Sequence, residues 1–330
     1  MGEITWGKRV KRWRETRRIE PSTAMRDESL VRVHLLPAFG SRPLRDIIRH
    51  EVQAWVTRLL KTNIGTKDKP RHLAGASAAR IVSVLVGIPS ASADAGLILA
   101  NPATREKLPP ASKVSLLWFT AEEYAAFVDA VEDPRDIALV DFLVGTGLRW
   151  YETAGLHWSN LDIQGGQVVV REVWTKDDIR AYSKTRDQRD LPLLPWVTRN
   201  LNVVGPAGGC GVEHRDRSVC RSEVVFTAAG GGPLDDRNWS RRVLQSAIER
   251  AGRGNSGYTI YTFRHTYASW LVQTGAALAR VAQLMGHKSI TTTETYAHLA
   301  PAAADDVRLA LPQPTASTAA SAAPSLRIAH

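Results

Sequence analysis

The chain has 330 residues, of which 44% are hydrophobic and 23% are charged, a composition typical of a globular protein with more than one domain. It contains no uncharged apolar run of about 18 residues and no apolar stretch behind its basic N-terminus, so the sequence predicts a cytoplasmic protein without a transmembrane helix or secretory signal. The formal net charge is +10. Residues 1–105 hold 19 Lys and Arg against 9 Asp and Glu, whereas the rest of the chain holds 24 basic against 24 acidic residues. This concentration of positive charge favours a polyanionic partner over a merely solubilising surface.

Amphipathic runs in residues 1–105 predict an all-α domain of about four helices. The first run covers residues 5–18 and places Trp6, Val10 and Trp13 on one helical face. The other faces carry seven basic side chains, at Lys8, Arg9, Lys11, Arg12, Arg14, Arg17 and Arg18.

A second helix is predicted from the spacing of Leu30, Val33 and Leu36, which share one face. Pro37 and Gly40 should end this helix.

A third helix over residues 47–60 should bury an apolar stripe made of Ile48, Val52, Trp55 and Leu59. Residues 76–100 are again helical in composition. Because Gly87 and Pro89 interrupt them, we expect a break near Ile88.

A proline-rich stretch without periodicity predicts an interdomain linker at residues 106–116. Thr120 and Glu123 then show the capping-box pattern of a helix start, so we expect a second domain over residues 117–311. The Ala-, Ser- and Pro-rich residues 312–330 predict a flexible tail.

The second domain combines helical patterns with two strand-like runs. The helices are expected near residues 120–132, 134–144, 151–157, 236–251, 264–274, 277–285 and 301–311, and the strands at 168–173 and 189–193. This order predicts a mixed α+β domain that is mainly helical.

Cys210, His214 and Cys220 offer three possible metal ligands at irregular spacing. Structural zinc sites use four ligands, commonly in paired C-x-x-C arrangements. The sequence therefore predicts an ordinary loop with reduced thiols and no metal site.

Four separated segments carry residues suited to phosphate chemistry. They are GTGLRWYETAGLHW with Arg149 and Glu152, SKTRDQRDLPL with Lys184, YTFRHTYASW with Arg264 and His265, and LMGHKSITTTETYAH with His287 and Tyr296. Taken singly, each residue has an ordinary structural interpretation, such as a surface ion pair or core packing. Together, their order and spacing resemble the boxes of the tyrosine recombinases (phage integrase family): T-G-L-R-x-x-E, K-T-x-x-x-R-x-x-P-L, H-x-L-R-H-T and L-G-H-x-x-I-x-T-T-x-x-Y-x-H.

The resemblance extends over residues 5–300 and implies a two-domain fold around duplex DNA. An all-α, SAM-like core-binding domain would precede an α+β, mainly helical catalytic domain. The implied function is that of a site-specific recombinase or integrase of a phage or mobile element, which cuts and rejoins DNA through a covalent 3′-phosphotyrosyl intermediate. A type IB topoisomerase and a catalytically silent DNA-binding relative are the alternatives.

The resemblance also implies a role for each site residue. Arg149 and Arg264 would stabilise the charge that builds up on the phosphate, and Tyr296 would attack it. Lys184 would protonate the leaving 5′ oxygen, and His287 would hydrogen-bond a nonbridging oxygen. Glu152 and His265 would support these groups, and the seven basic residues of the first helix would contact DNA phosphates.

Two points depart from the family pattern or leave a choice open. Tyr261 stands where the family pattern has its first His; a phenol can still donate a hydrogen bond to phosphate, so we treat Tyr261 as a weaker phosphate contact. Lys176 also lies in the strand region, but the residues that follow Lys184 fit the pattern better and its surroundings are less acidic.

Neither a phosphate-binding G-x-x-x-x-G-K-[ST] loop nor a carboxylate cluster for paired Mg²⁺ is found in the sequence, so we expect no ATP, metal or other cofactor. The resemblance implies double-stranded DNA attachment sites as substrate, a homodimer on each site and a tetramer in the synapse. Accessory DNA-bending or directionality proteins are further expected partners.

Overall fold

Tertiary contacts divide the chain into two units, Met1–Val114 and Ser115–His330. The computed structural model describes residues 4–66, 68, 70–103, 116–175, 178–181, 188–204 and 224–301. The predicted linker, except Leu116, and the predicted tail lie outside the described residues, as does the predicted helix 301–311 apart from its first residue. The domain boundaries expected there stay predictions.

The described part of the first unit is helical, as predicted. Its helices are α1 (Trp6–Thr16), α2 (Pro21–Leu30), α3 (Leu36–Phe39), α4 (Arg49–Lys61) and α5 (Gly75–Asp94). Trp6, Val10 and Trp13 of α1 are buried, because the apolar face of this helix packs on α5 and α3. Its cationic face is left toward solvent.

The prediction of which face of the second helix is buried was wrong. Val33 is 52% exposed and Leu36 is 39% exposed, whereas Val31 and Leu35 are fully buried. A π-helical turn at Val31–Leu35 joins α2 to α3, and its wider winding keeps residues four apart on the same side.

Helix α4 differs in detail from its predicted stripe. Val52 and Leu59 are buried as expected, and Trp55 is half-buried. Ile48 is 56% exposed because it lies at the N-cap, before the helix turns toward the core; Val56 is buried instead.

The predicted break near Ile88 is also wrong, because α5 continues through Gly87 and Pro89. The indole ring of Trp13 in α1 packs against α5 at Gly87, 3.4 Å from where a Cβ would stand, which is an ordinary packing distance. The side chain of Asn101 donates hydrogen bonds to the carbonyl of Val86 (2.9 Å) and the hydroxyl of Ser90 (2.7 Å), which holds this part of the helix in place.

Helix α5 is long and apolar enough, with a mean hydropathy of 1.4, to meet the length and composition of a membrane span. The charged residues Arg80 and Asp94 lie in or at the end of this helix, and its uncharged run is shorter than the 18 residues considered in the sequence prediction. Ile81, Leu85 and Ile88 of this helix are buried in the core of the first unit, which accounts for its apolar composition.

The second unit is mainly helical with two small sheets, which confirms the predicted class. Its helices are α6 (Ala121–Asp129), α7 (Pro134–Thr146), α8 (Trp150–Ala154), α9 (Pro195–Thr198), α10 (Asp236–Trp239), α11 (Gln245–Arg250), α12 (Ile260–Gln273) and α13 (Leu278–Met285). A π-helical turn joins α10 to α11, and 3₁₀ turns at Ile290–Thr292 and Glu294–Leu299 follow α13. The predicted capping box is present: Thr120 and Glu123 exchange two hydrogen bonds at the start of α6.

The strands are β1 (Leu161–Asp162), β2 (Gln167–Val170), β3 (Glu172–Thr175), β4 (Asp178–Ala181) and β5 (Arg189–Pro192). One antiparallel sheet has the order β1-β2-β5, with Val168 opposite Leu191, and β3 pairs with β4 in a second sheet. The run at 168–173 was predicted as one strand, but the chain leaves the first sheet at Arg171 and enters the second.

The core of the second unit is built around α7 and α12, which pack against each other. Helix α7 ends at Gly147, whose φ of +62° is in the left-handed region that favours glycine. A side chain at this position would also meet the ring of Tyr267 at 2.2 Å. This tight turn places Arg149 at the start of α8, directly after the core.

Candidate active site

Two guanidinium groups from distant parts of the chain meet at one turn. Arg149, at the N-cap of α8, donates a hydrogen bond to the carbonyl of Gly286 at 3.0 Å. Arg264, on α12, donates to the carbonyl of Met285 and, at 2.5 Å, to that of Gly147. Because residues 285 and 286 are consecutive, the two cationic side chains converge.

The carboxylate of Glu152 binds Arg149 and fixes its position. Its Oε1 accepts a hydrogen bond from Nη1 of Arg149 at 2.8 Å, and its Oε2 accepts one from the backbone N–H of Arg149 at 2.9 Å. The carboxylate also accepts from Nη1 and Nη2 of Arg189, at 3.2 and 2.7 Å. Burial by itself raises the pKa of Glu152, but the hydrogen bonds and charges of Arg189 and Arg149 outweigh it and lower the pKa to about 2.

Arg189 was assigned no role from the sequence, although it is the arginine of the K-T-x-x-x-R-x-x-P-L pattern. Besides Glu152, it binds the carbonyl of Leu284 through Nε at 3.0 Å. Gly286 has a φ of +62°, in the region that favours glycine, and a side chain at this position would lie 2.9 Å from the guanidinium of Arg189. Both features favour glycine here. Arg189 thus ties β5, α8 and the end of α13 together.

Arg264 is nearly fully buried, which sets its electrostatics. Burial, followed by the positive charge of Arg149, lowers the pKa of Arg264 to about 10. The guanidinium is still protonated at neutral pH. Arg264 therefore places a buried positive charge in the site.

His287 follows Gly286 and lies above the same turn. Burial and then the charges of Arg264 and Arg149 lower its pKa to about 4, so the imidazole is neutral at pH 7. Its Nδ1 is 2.8 Å from the hydroxyl of Thr293. If that hydroxyl donates, the ring proton lies on Nε2, where it can be donated to an anion.

Tyr296 lies in the 3₁₀ turn Glu294–Leu299 and is only 2% exposed. Its hydroxyl is 2.6 Å from Nδ1 of His265, the residue that follows Arg264 on α12. Burial raises the pKa of the phenol to about 12, against the smaller opposing effect of the charge of Arg264. The phenol is thus held beside the cationic residues in its neutral form.

The structure brings together most of the residues that the sequence singled out. These are Arg149, Glu152, Arg264, His265, His287 and Tyr296. Tyr261 is 59% exposed at the start of α12 and lines a shallow depression with Tyr151 and Arg241. Its contact with phosphate stays a prediction.

Several predicted positions lie outside the described residues: Lys184, its alternative Lys176, and the group Cys210, His214 and Cys220. Within the part of the chain that the structure describes, no cluster of three or more His, Cys, Asp or Glu side chains could hold a metal ion.

The seven basic residues in α1 and directly after it fall into two groups. Arg9 donates to the hydroxyl of Ser92 and the carbonyl of Ala91, which fastens α1 to α5. Arg17 lies over the ring of Trp13 and pairs with Asp27 at 2.9 Å, and Arg14 pairs with Glu28. The exposed remainder is Lys8, Lys11, Arg12 and Arg18.

We expect the exposed face of α1 to carry the non-specific DNA affinity of this unit. Lys8, Lys11 and Arg12 share one side of the helix, three and four residues apart. Replacing all three by Ala should make the dependence of log affinity on log salt shallower by about 0.9 for each DNA phosphate that is no longer neutralised. Titration of the full chain with a random duplex at several salt concentrations measures this slope.

A variant of equal charge loss, with Arg26, Arg32 and Arg58 replaced by Ala, is the control, because these exposed residues lie in α2, in the π-helical turn after it and in α4 of the same unit. An equal reduction of the slope in both triple variants would contradict a specific role of α1.

Two family descriptions match the chain. Residues 117–303 match the phage integrase family, and residues 5–60 match the N-terminal SAM-like domain of phage integrases. The chain is 30% identical over 255 residues to the tyrosine recombinase XerC of Xylella fastidiosa (strain M23), an alignment that covers 76% of each protein. It is 28% identical over 273 residues to the tyrosine recombinase XerD of Corynebacterium glutamicum, covering 80% of this chain and 82% of the relative.

Solved structures show the same fold. The Tn1549 transposon integrase in complex with a circular intermediate DNA is similar with a TM-score of 0.77 at 18% identity, over 93% of this chain and 98% of that one. A lambda integrase dimer bound to a COC′ core site is similar with a TM-score of 0.66 at 20% identity, over 89% of this chain and 95% of that one. The family match over more than half of the sequence shows that the chain belongs to the phage integrase family and is a tyrosine recombinase, an enzyme of site-specific DNA recombination.

Proposed function

We propose that Arg149 and Arg264 bind the scissile phosphate of a DNA attachment site, that Tyr296 attacks it, and that Lys184 protonates the leaving 5′ oxygen. One observation carries the proposal: both arginines bind consecutive carbonyls of the turn before His287, and the phenol of Tyr296 lies against the residue that follows Arg264.

The electrostatics of the pocket suit this reaction. Attack on a phosphodiester adds negative charge to the nonbridging oxygens, and fixed cations in a desolvated site stabilise that charge most strongly in the transition state. A guanidinium has five N–H groups, and the carbonyls of Gly147 and Met285 take one each from two nitrogens of Arg264, which leaves others for a phosphate. Neutral His287 adds an N–H donor without adding a charge.

The nucleophile needs this environment. With a pKa of about 12 in the absence of DNA, the phenol of Tyr296 is ionised to only about one part in 10⁵ at pH 7, a handicap of about 7 kcal/mol. Bond formation to phosphorus makes the phenolic proton more acidic, and the two arginines favour the same change. Cleavage would leave the DNA 3′ phosphate on Tyr296 and a free 5′ hydroxyl, which can attack the partner strand.

Assembly on DNA follows from the same proposal. The solved lambda integrase complexes include a dimer on a core site and a tetramer on a Holliday junction. We infer a dimer of this chain on each attachment site and a tetramer in the synapse, acting on DNA in the cytoplasm of a bacterial host. Accessory DNA-bending or directionality proteins would choose between integration and excision.

A pair of lysine variants tests the proposed general acid. The substrate is a nicked duplex that traps the covalent adduct, built from inverted repeats in the DNA that flanks the coding sequence. We expect Lys184→Ala to slow cleavage by about 10²-fold or more, because the 5′ alkoxide leaves poorly without a proton. Lys176→Ala, which alters the other lysine considered for this role, is the matched control and should cleave near the wild-type rate.

A substrate with sulfur in place of the bridging 5′ oxygen sharpens this test, since a thiolate leaves without protonation. This substrate should restore Lys184→Ala to near the wild-type rate. A rate that stays low with the sulfur substrate, or a larger defect in Lys176→Ala, would contradict the assignment of Lys184.

A further inference from the structure

We propose that His265 accepts the phenolic proton of Tyr296 during DNA cleavage, which makes it a catalytic residue of this recombinase. The inference rests on Tyr296 being the nucleophile, as proposed above. Nδ1 of His265 lies 2.6 Å from the phenolic oxygen, and the two rings are tilted by 46° with their centroids 5.9 Å apart. The phenol therefore already forms the hydrogen bond through which the proton would leave.

The position of His265 is fixed by the fold. Helix α12 carries it one residue after Arg264, and the turn Glu294–Leu299 that carries Tyr296 packs against the same helix. The charge of Arg264 acts on both His265 and Tyr296, so a phosphate held by Arg264 would lie near the attacking oxygen and its proton acceptor. Proximity of this kind is what general base catalysis requires.

The protonation states agree with this direction of transfer. Burial and then the charge of Arg264 lower the pKa of His265, so its imidazole is neutral at pH 7 and has a free lone pair. Among the residues that the structure describes, Tyr296 and His287 also interact with His265, and both are neutral at this pH. In the tautomer that carries its ring proton on Nε2, Nδ1 accepts the hydrogen bond from the hydroxyl of Tyr296, and the proposal uses this tautomer.

The step balances without a further reactant. As the bond between phosphorus and the phenolic oxygen of Tyr296 forms, the proton of that oxygen moves to Nδ1 of His265. As the bond between phosphorus and the 5′ oxygen breaks, Lys184 gives a proton to the leaving oxygen. The imidazolium lies close to the phosphate while the phosphate carries its greatest negative charge, and in strand joining the two protons return.

Two substitutions at one position separate proton transfer from positioning. His265→Asn places an amide oxygen close to the position of Nδ1, so it can accept the hydrogen bond but cannot take the proton at neutral pH. His265→Ala removes both capacities and leaves space for a small molecule. We expect both variants to lower the single-turnover rate of adduct formation by about 10²-fold, with DNA affinity unchanged.

Free imidazole added to the reaction should restore much of the rate of His265→Ala, an effect that a structural role would not produce. The sulfur-bridged substrate should not restore either variant, in contrast to Lys184→Ala. His298→Ala, an exposed histidine of the same 3₁₀ turn, is the matched control and should cleave near the wild-type rate.

Two results would overturn the proposal. One is a wild-type rate of cleavage in His265→Asn. The other is faster cleavage in His265→Ala, which would show that the hydrogen bond holds Tyr296 in an inactive state. A low rate of His265→Ala that imidazole leaves unchanged would also overturn it, provided that melting shows a folded protein. Loss of the adduct in Tyr296→Phe together with normal rates in both His265 variants would leave the proposed function standing and remove only this inference.

Discussion

Tyr296→Phe should form no covalent adduct with DNA, while its affinity for DNA stays close to that of the wild type. The substitution removes one oxygen from a side chain that is 2% exposed, so the packing around the ring is kept. The missing hydrogen bond leaves Nδ1 of His265 without its partner, a loss worth about 1 kcal/mol. Denaturing gel electrophoresis of the nicked suicide duplex measures the adduct directly.

Tyr258→Phe is the matched control, because it removes another phenolic hydroxyl from a buried ring. That hydroxyl donates to Glu123 at 3.1 Å, at the start of α6. We expect the control to form the adduct at close to the wild-type rate. An adduct in Tyr296→Phe would show that another residue attacks the phosphate.

Glu152→Gln should lower the free energy of unfolding by about 3 kcal/mol and slow DNA cleavage. The substitution keeps the shape of the side chain but leaves Arg189 and Arg149 without the carboxylate that both of them bind. The shift of its pKa from 4.5 to about 2 corresponds to about 3 kcal/mol, in line with breaking a buried ion pair from one side. Cleavage should slow because the guanidinium of Arg149 loses its anchor beside the phosphate.

The pH dependence of this effect has a defined sign. The pKa of Glu152 is lower in the folded than in the unfolded state, so its contribution to stability is complete above pH 4.5. It is lost as the pH falls from 4.5 towards 2. The difference in stability between wild type and Glu152→Gln should therefore be constant near neutral pH and shrink below pH 4.5.

Urea denaturation followed by tryptophan fluorescence measures this difference. Glu132→Gln is the control, since Glu132 forms an exposed ion pair with Arg250 at 3.3 Å, and such pairs contribute little. Equal stability of the two variants would contradict the role of Glu152 as the anchor of the two arginines.

Local sequence patterns predicted the parts of the fold that local interactions determine. The apolar face of α1, the capping box at Thr120 and the contact between Arg149 and Glu152 all depend on residues three or four positions apart. Two wrong predictions have local causes, the π-helical turn for Val33 and the N-cap position for Ile48, whereas the helix around Ile88 is held by residues farther along the chain. Trp13, 74 positions away in the sequence, packs against α5 at Gly87.

The candidate site shows the same division. The motifs identified Arg264, His287 and Tyr296, but periodicity offered no sign that Arg189 binds a carboxylate 37 residues away. The hydrogen bond between His265 and Tyr296, 31 residues apart, was equally outside the reach of local reasoning. The arginine of the K-T-x-x-x-R-x-x-P-L pattern was the available signal for Arg189, and its carboxylate partner became visible only in three dimensions.

The most direct test of the proposed chemistry is the identity of the residue that becomes bound to DNA. Trapped adduct can be digested with nuclease and trypsin, and the tryptic peptide that begins at Ser289 analysed by fragmentation mass spectrometry. We expect this peptide to carry a nucleotide remnant, joined through a 3′ phosphate to Tyr296, and the cleaved strand to end in a free 5′ hydroxyl. A remnant on any other residue, or a linkage through the 5′ end of the DNA, would contradict the account.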